Sequence, residues 1–121
     1  MLDAPLDGGV VLARFYAELL GWTVTDSAEG ELGTWALVES GTGLKIEVQG
    51  LADYRPPVWP NADGEQQQML HLDIACDDVD AAVARAVELG AAVAPHQPQP
   101  HVKVMLDPAG HPFCLFAGAV D

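Results

Sequence analysis

Basic residues are scarce in this chain: five Lys and Arg stand against 18 Asp and Glu, a formal net charge of -13 over 121 residues. So few cations leave little to set against a phosphate backbone, whose binding depends on Lys and Arg, and nucleic acid is excluded as a partner. The carboxylates are scattered and form no long run, which fits solubility better than a cation-binding surface. Half of the residues are hydrophobic, yet no apolar run approaches the roughly 18 residues of a membrane span. Nor does the N-terminus carry a basic segment leading into an apolar signal core. No membrane partner and a cytoplasmic location are expected. Cysteine is limited to Cys76 and Cys114, which form neither a CxxC nor a loop-stapling pair. Two reduced thiols are the expectation in that compartment.

What the chain does have is enough apolar sequence for the core of one domain, residues 1–121, and an internal repeat. Residues 17–24 read AELLGWTV, and residues 86–93 read AVELGAAV, with four identities in eight. Each segment closes an amphipathic helix with Leu-Gly and starts a strand. Each is followed by further strands and a glycine-containing turn, Gly41-Thr42-Gly43 and Asp107-Pro108-Ala109-Gly110. The pattern predicts an α+β fold of two βαβββ modules, residues 1–50 and 68–121, joined by a connection over 51–67. Modules of this kind are expected to form a curved mixed sheet around a cleft, with the helices on the outer face.

The first helix is predicted over 10–20, ended by Gly21 in a left-handed conformation. The second starts after Asp78 as N-cap, has Asp80 in its first turn and stops at Gly90. Strands are predicted at Trp22–Asp26, Thr34–Glu39, Leu44–Gln49, Met69–Cys76, Ala91–Ala94, Val102–Leu106 and Pro112–Ala117, with a short one at Leu2–Ala4. Pro56, Pro57 and Pro60 rule out a central strand in the connection. With Tyr54 and Trp59, that connection is either a lid over the cleft or a surface loop anchored by its aromatics.

Alternation along strands sorts side chains into two faces. Leu70, Leu72, Ile74 and Cys76 form an apolar row expected against the helices, as do Leu44, Ile46 and Val48, Val102 and Val104, and Phe113 and Leu115. The opposite face then collects His71, Asp73, Glu47, Gln49, His101, Lys103, Met105, Cys114 and Phe116. It is either a solvated sheet surface or, as the mixture of imidazole, thiol, thioether and aromatic suggests, a partly apolar pocket with a few polar anchors. His96, in a proline-rich connection, is expected to be exposed. His111, in a hairpin turn, is expected to be structural.

The segments FYAELLGW (15–22), HLDIACDDVDAAVARAVELGA (71–91) and LDPAGHPFCLF (106–116) together resemble the glyoxalase/bleomycin-resistance/extradiol-dioxygenase family, the vicinal oxygen chelate superfamily. YRPPVWP (54–60) resembles a glyoxalase-like subgroup of it. The resemblance implies paired βαβββ modules and a homodimer. It also implies, in members with a metal, a divalent ion held by strand positions of both modules. Those positions fall here on His71, Cys114 and Gln49, with Glu47 two residues from Gln49. The first-strand histidine has no match, and Asp3 is the nearest polar residue. One histidine with an amide and a thiol makes a weak site for a hard cation.

The expectation is therefore a protein without a catalytic metal or other cofactor that binds an apolar or aromatic small molecule. Its contacts are expected from Trp35, Glu47, Gln49, Tyr54, Trp59, His71, His101, Lys103, Met105, Cys114 and Phe116. The alternative is a divergent metal-dependent lyase, isomerase or dioxygenase holding a divalent ion through His71, Glu47, Gln49 and Cys114.

Overall fold

A computed structural model describes residues 1–31 and 33–118. The chain divides into two compact units, Met1–Pro56 and Pro57–Asp121, with the boundary inside the expected connection. The first unit runs β1 (Leu2–Pro5), α1 (Gly9–Leu20), β2 (Thr23–Gly30), β3 (Gly33–Glu39) and β4 (Lys45–Leu51). The second runs β5 (Leu72–Cys76), α2 (Val79–Glu88), β6 (Ala92–Val93), β7 (Val102–Leu106) and β8 (Pro112–Ala117). The sheet orders are β1-β4-β3-β2 and β5-β8-β7-β6, the same topology twice. In each sheet the first and last strands of the unit pair in parallel and the other pairs are antiparallel. This is the α+β fold of two βαβββ modules.

The sequence repeat has a direct hydrogen-bonding counterpart. Gly21 closes α1 at φ 71°, and the Trp22 N–H donates to the Ala17 carbonyl at 2.7 Å. In the second unit Gly90 has φ 119°, and the Ala91 N–H donates to the Ala86 carbonyl at 2.9 Å. Both bonds reach back past a left-handed glycine to an orphan carbonyl of the last helical turn, which explains why Leu-Gly recurs there. At its other end α2 is capped as expected, Asp78 Oδ1 accepting from the Ala81 N–H at 3.1 Å. α1 starts at Gly8 with no side-chain cap. Its entry is held instead by Thr34, whose hydroxyl accepts from the Gly9 N–H at 2.8 Å and donates to the Leu6 carbonyl at 3.0 Å.

Leu12, Ala13, Phe15 and Tyr16 of α1 are buried in the first unit, as are Ala4, Ala36, Val38 and Val48 of its sheet. The second core contains Ala86 of α2 and Met105, Phe113 and Leu115 of the sheet. Phe113 and Leu115 thus hold the buried row expected of them. Four expectations need correction. Leu44 and Leu70 were placed in buried rows, but each is 62% exposed. β5 starts at Leu72, not Met69, because its ladder with β8 begins at the Leu72–Phe113 pair, next to Pro112, which has no N–H to continue it. β2 extends to Gly30, past a register shift between Val24 and Asp26. The faces of β7 are reversed: Val104 pairs with Cys114 and Met105 with Phe113, so Met105 lies in the core row and is fully buried.

Candidate functional site

In the second unit the reversed faces of β7 create the site. Cross-strand partners share a face, so Val102 and Val104 lie on the same side as Phe116 and Cys114, and Cys114 on the same side as Asp73. A pocket of about 160 Å³ opens there, lined by Trp59, Gln68, His71, Pro98, Gln99, Val102, Val104, Pro112 and Cys114. Its floor is apolar sheet, and the rest of its lining comes from two loops.

Each loop is held by specific bonds. The Val58 N–H donates to the Gln66 carbonyl at 2.7 Å, closing the loop that carries Trp59 toward Gln68. The Trp59 indole also sits 5.4 Å from the His96 ring, tilted by 48°. Gln97 fixes the second loop. Its Nε2 donates to the carbonyls of Ala94 at 2.9 Å and Val104 at 2.8 Å, and its Oε1 accepts from the Val104 N–H at 2.8 Å. One side chain thereby continues the β6–β7 ladder past the end of β6 and holds Pro98 and Gln99 beside Val104.

His71 and Cys114 of the lining belong, with the exposed Asp73 beside them, to a compact donor set. His71 Nε2 lies 3.2 Å from Asp73 Oδ1, and ligand atoms of His71, Asp73 and Cys114 all fall within 4.8 Å of one another. Burial is the main cause that raises the Cys114 thiol above its ordinary pKa, and the Asp73 charge and a hydrogen bond to Asp73 act in the same direction. The thiol is therefore protonated at neutral pH, since burial and Asp73 both disfavour the thiolate. Cys76 has a different environment. Its Sγ–H donates to the Phe116 carbonyl at 3.3 Å, and burial followed by the charges of Asp77 and Asp78 raises its pKa. Both cysteines are free thiols.

Of the residues expected at the site, Trp59, His71 and Cys114 line this pocket. Phe116 shares its face but not its lining. Lys103 pairs with Leu115 and Met105 with Phe113, so both lie on the opposite face; His101 is exposed in the bend before β7. The apolar Val102 and Val104 suggested a core row only because the pocket itself is apolar. Trp35, Glu47, Gln49 and Tyr54 belong to the first unit. There Asp3 and Trp35 are the cross-strand partners of Gln49, and Glu47 is that of Leu37. Gln49 Nε2 donates to Asp3 Oδ1 at 2.8 Å. His111 lies in the turn before β8, its Nδ1 2.8 Å from Asp107 Oδ2, and Asp107 Oδ1 accepts from the N–H groups of Ala109 and His111. Gln68, Asp73, Gln97, Pro98, Gln99 and Pro112 were not among the expected site residues. Alternation had put Asp73 on the correct face, whereas the loop residues carry no periodic signal.

These donors do not suit the hard divalent cation that the resemblance implies. Gln49 offers only a neutral amide oxygen, and the raised pKa of Cys114 keeps its thiol protonated, so two of the positions offer no hard anionic ligand. His71, Asp73 and Cys114 together have the nitrogen, oxygen and sulfur composition of a zinc site, provided the thiol gives up its proton.

A profile described as Glyoxalase-like domain matches residues 5–116. Comparison with curated proteins gives no match. Among solved structures, a glyoxalase family protein from Enterococcus faecalis matches with a TM-score of 0.63 at 20% identity, over 95% of this chain and 93% of the other. A glyoxylase/bleomycin resistance protein/dioxygenase domain from Frankia sp. EAN1pec matches with a TM-score of 0.59 at 19% identity, over 97% and 94%. TnmS3, an antibiotic binding protein from Streptomyces sp. CB03234, matches with a TM-score of 0.53 at 23% identity, over 98% and 93%. At these identities the structural matches establish the fold.

Proposed function

The chain belongs to the glyoxalase-like domain family, and from that premise we propose that it binds an apolar or aromatic small molecule, without a resident catalytic metal. The observation that carries this reading is the pocket of the second unit, where Val102, Val104 and Pro112 supply apolar surface, Trp59 an aromatic face, and Gln68 and His71 polar anchors. A concave, mostly apolar site with a few polar groups is the usual design for a small organic ligand. No reaction follows from it as directly as binding does. Sequestration of a harmful compound is the corresponding role, and TnmS3, which shares the fold, is an antibiotic binding protein. A homodimer belongs to the same proposal, and light scattering over a micromolar concentration series tests it.

Titrating the protein with a panel of aromatic compounds while following tryptophan fluorescence, alongside elemental analysis, tests the function. Saturable quenching with substoichiometric metal supports binding. Absence of any response across the panel would contradict it. The second reading, a divergent metal-dependent lyase, isomerase or dioxygenase, is favoured by the grouping of His71, Asp73 and Cys114 within 4.8 Å. Stoichiometric zinc that is lost in a His71→Ala variant would establish that reading over the first.

A further inference from the structure

Charge is distributed unevenly around the pocket of the second unit. Among the described residues no Lys, Arg, Asp or Glu lines it, but one carboxylate stands beside it. Asp73 pairs with Cys114 in the β5–β8 ladder, so it shares the face on which the pocket opens. Its oxygen lies within 4.8 Å of ligand atoms of both His71 and Cys114, which belong to the lining. His71 Nε2 approaches Oδ1 at 3.2 Å, and the Asp73 side chain is 60% exposed. A carboxylate has about four acceptor positions, so this one keeps capacity for a donor arriving from the pocket side.

The basic residues of the described part of the unit, Arg85 and Lys103, are placed elsewhere. Lys103 pairs with Leu115, on the opposite face of β7, and Arg85 of α2 donates to Glu88 Oε1 at 3.2 Å. The chain as a whole carries a net charge of -13. An anionic ligand is therefore repelled at long range and again beside the site, whereas a cationic one is attracted in both places. Size adds a second restriction. The pocket volume of about 160 Å³ is close to the roughly 150 Å³ of an apolar protein cavity that accepts benzene, so one ring with a small substituent fills it.

We propose that Asp73 sets the charge selectivity of the pocket, and that the ligand is a single aromatic ring bearing a cationic nitrogen, an amine or amidine. The ring contacts Trp59 and Val104, and the nitrogen lies at the Asp73 carboxylate. This rests on the reading of the pocket as a ligand site and adds the charge class of the ligand.

Benzamidine, benzamide and benzoate test it, because they share a ring and a planar substituent of nearly equal size but are a cation, a neutral amide and an anion. Dissociation constants are measured for the full chain at pH 8, above the ordinary range of histidine, where the amidine is still protonated. Benzamidine should bind more tightly than benzamide, and benzamide more tightly than benzoate. In Asp73→Asn the advantage of benzamidine over benzamide should fall by about fivefold, the attraction of two unit charges about 4 Å apart in a solvated setting, while benzamide binds as before. Asp73→Glu should keep the advantage, and added salt should reduce it. Asp80→Asn removes the same charge from α2 and should leave the advantage intact. Equal binding of benzamidine and benzamide to the unaltered protein, or an advantage that falls as much in Asp80→Asn as in Asp73→Asn, overturns the role of Asp73 and leaves the pocket standing. Tightest binding of benzoate overturns the charge class. Failure of all three probes to bind the unaltered protein overturns the pocket reading itself, and this inference with it.

Discussion

Replacing Gln97 by alanine should loosen the pocket from a position that contacts no ligand. Three hydrogen bonds disappear, to Ala94 O, Val104 O and Val104 N. Val104 O keeps one donor, the Ala94 N–H at 3.0 Å. The Val104 N–H is left without the partner that Gln97 supplied, on a residue only 4% exposed. Each lost bond is worth about 1 kcal/mol net, and an unmet buried donor adds about 1–3 kcal/mol. Relief from immobilising the glutamine offsets part of this, so the expected loss is about 2–4 kcal/mol. For a chain of this size that corresponds to a fall in melting temperature of roughly 8–15 °C. Thermal melts give the magnitude, and amide hydrogen exchange locates it: the Val104 N–H should lose protection while the amides of α1 keep theirs. A destabilisation below about 0.5 kcal/mol with Val104 still protected would refute the reasoning, because Gln97 would then not hold the second loop to β7. Gln97→Glu should behave almost as badly, since it keeps the acceptor but sets a carboxylate against two carbonyls.

The remaining predictions concern packing, titration and binding. Gly50→Ala should destabilise the first unit by about 1–3 kcal/mol or more in urea melts, because the added Cβ would lie 2.1 Å from the Leu6 carbonyl oxygen. Gly41→Ala, where the Cβ meets open space at φ 81°, should cost only the backbone strain of about 1 kcal/mol. In a Cys114→Ser protein the remaining thiol, Cys76, should be alkylated with a pH midpoint above that of an ordinary cysteine, since burial and then Asp77 and Asp78 raise its pKa. The folded state then holds the proton that the unfolded state releases first. The contribution of Cys76 to stability is full below the unfolded pKa and falls as pH rises toward the folded one. Trp59→Ala should weaken binding of an aromatic ligand by roughly 1–3 kcal/mol in a fluorescence or calorimetric titration if the indole acts as the anchoring aromatic.

Much of the fold was legible because two signals agreed. The Leu-Gly helix endings marked equivalent points of the two modules, and both acquired the same hydrogen bond, at Trp22 and Ala91. Alternation worked for Phe113 and Leu115 of β8, which are both buried. It failed for β7, where both faces are apolar, one to the core and one to the pocket, so that Val-Lys-Val no longer says which is which. Counting outward from the turn could have settled it. The Asp107 N–H donates to the His111 carbonyl, which pairs Leu106 with Pro112 and hence Met105 with Phe113; a methionine opposite a core phenylalanine belongs to the core. Gln68, Gln97, Pro98 and Gln99 could not be found this way. They lie in loops, where position is set by individual hydrogen bonds and not by any period in the sequence.

Two-dimensional 1H–15N NMR mapping with an aromatic ligand tests the central claim most directly, because it reports where on the chain a ring binds. Saturable shifts should centre on Trp59, Gln68, Val104 and Cys114, with the indole N–H of Trp59 among the most affected, and should appear without added metal. Shifts centred elsewhere, or a response at these residues only after zinc is supplied, would contradict a metal-independent binding pocket in the second unit.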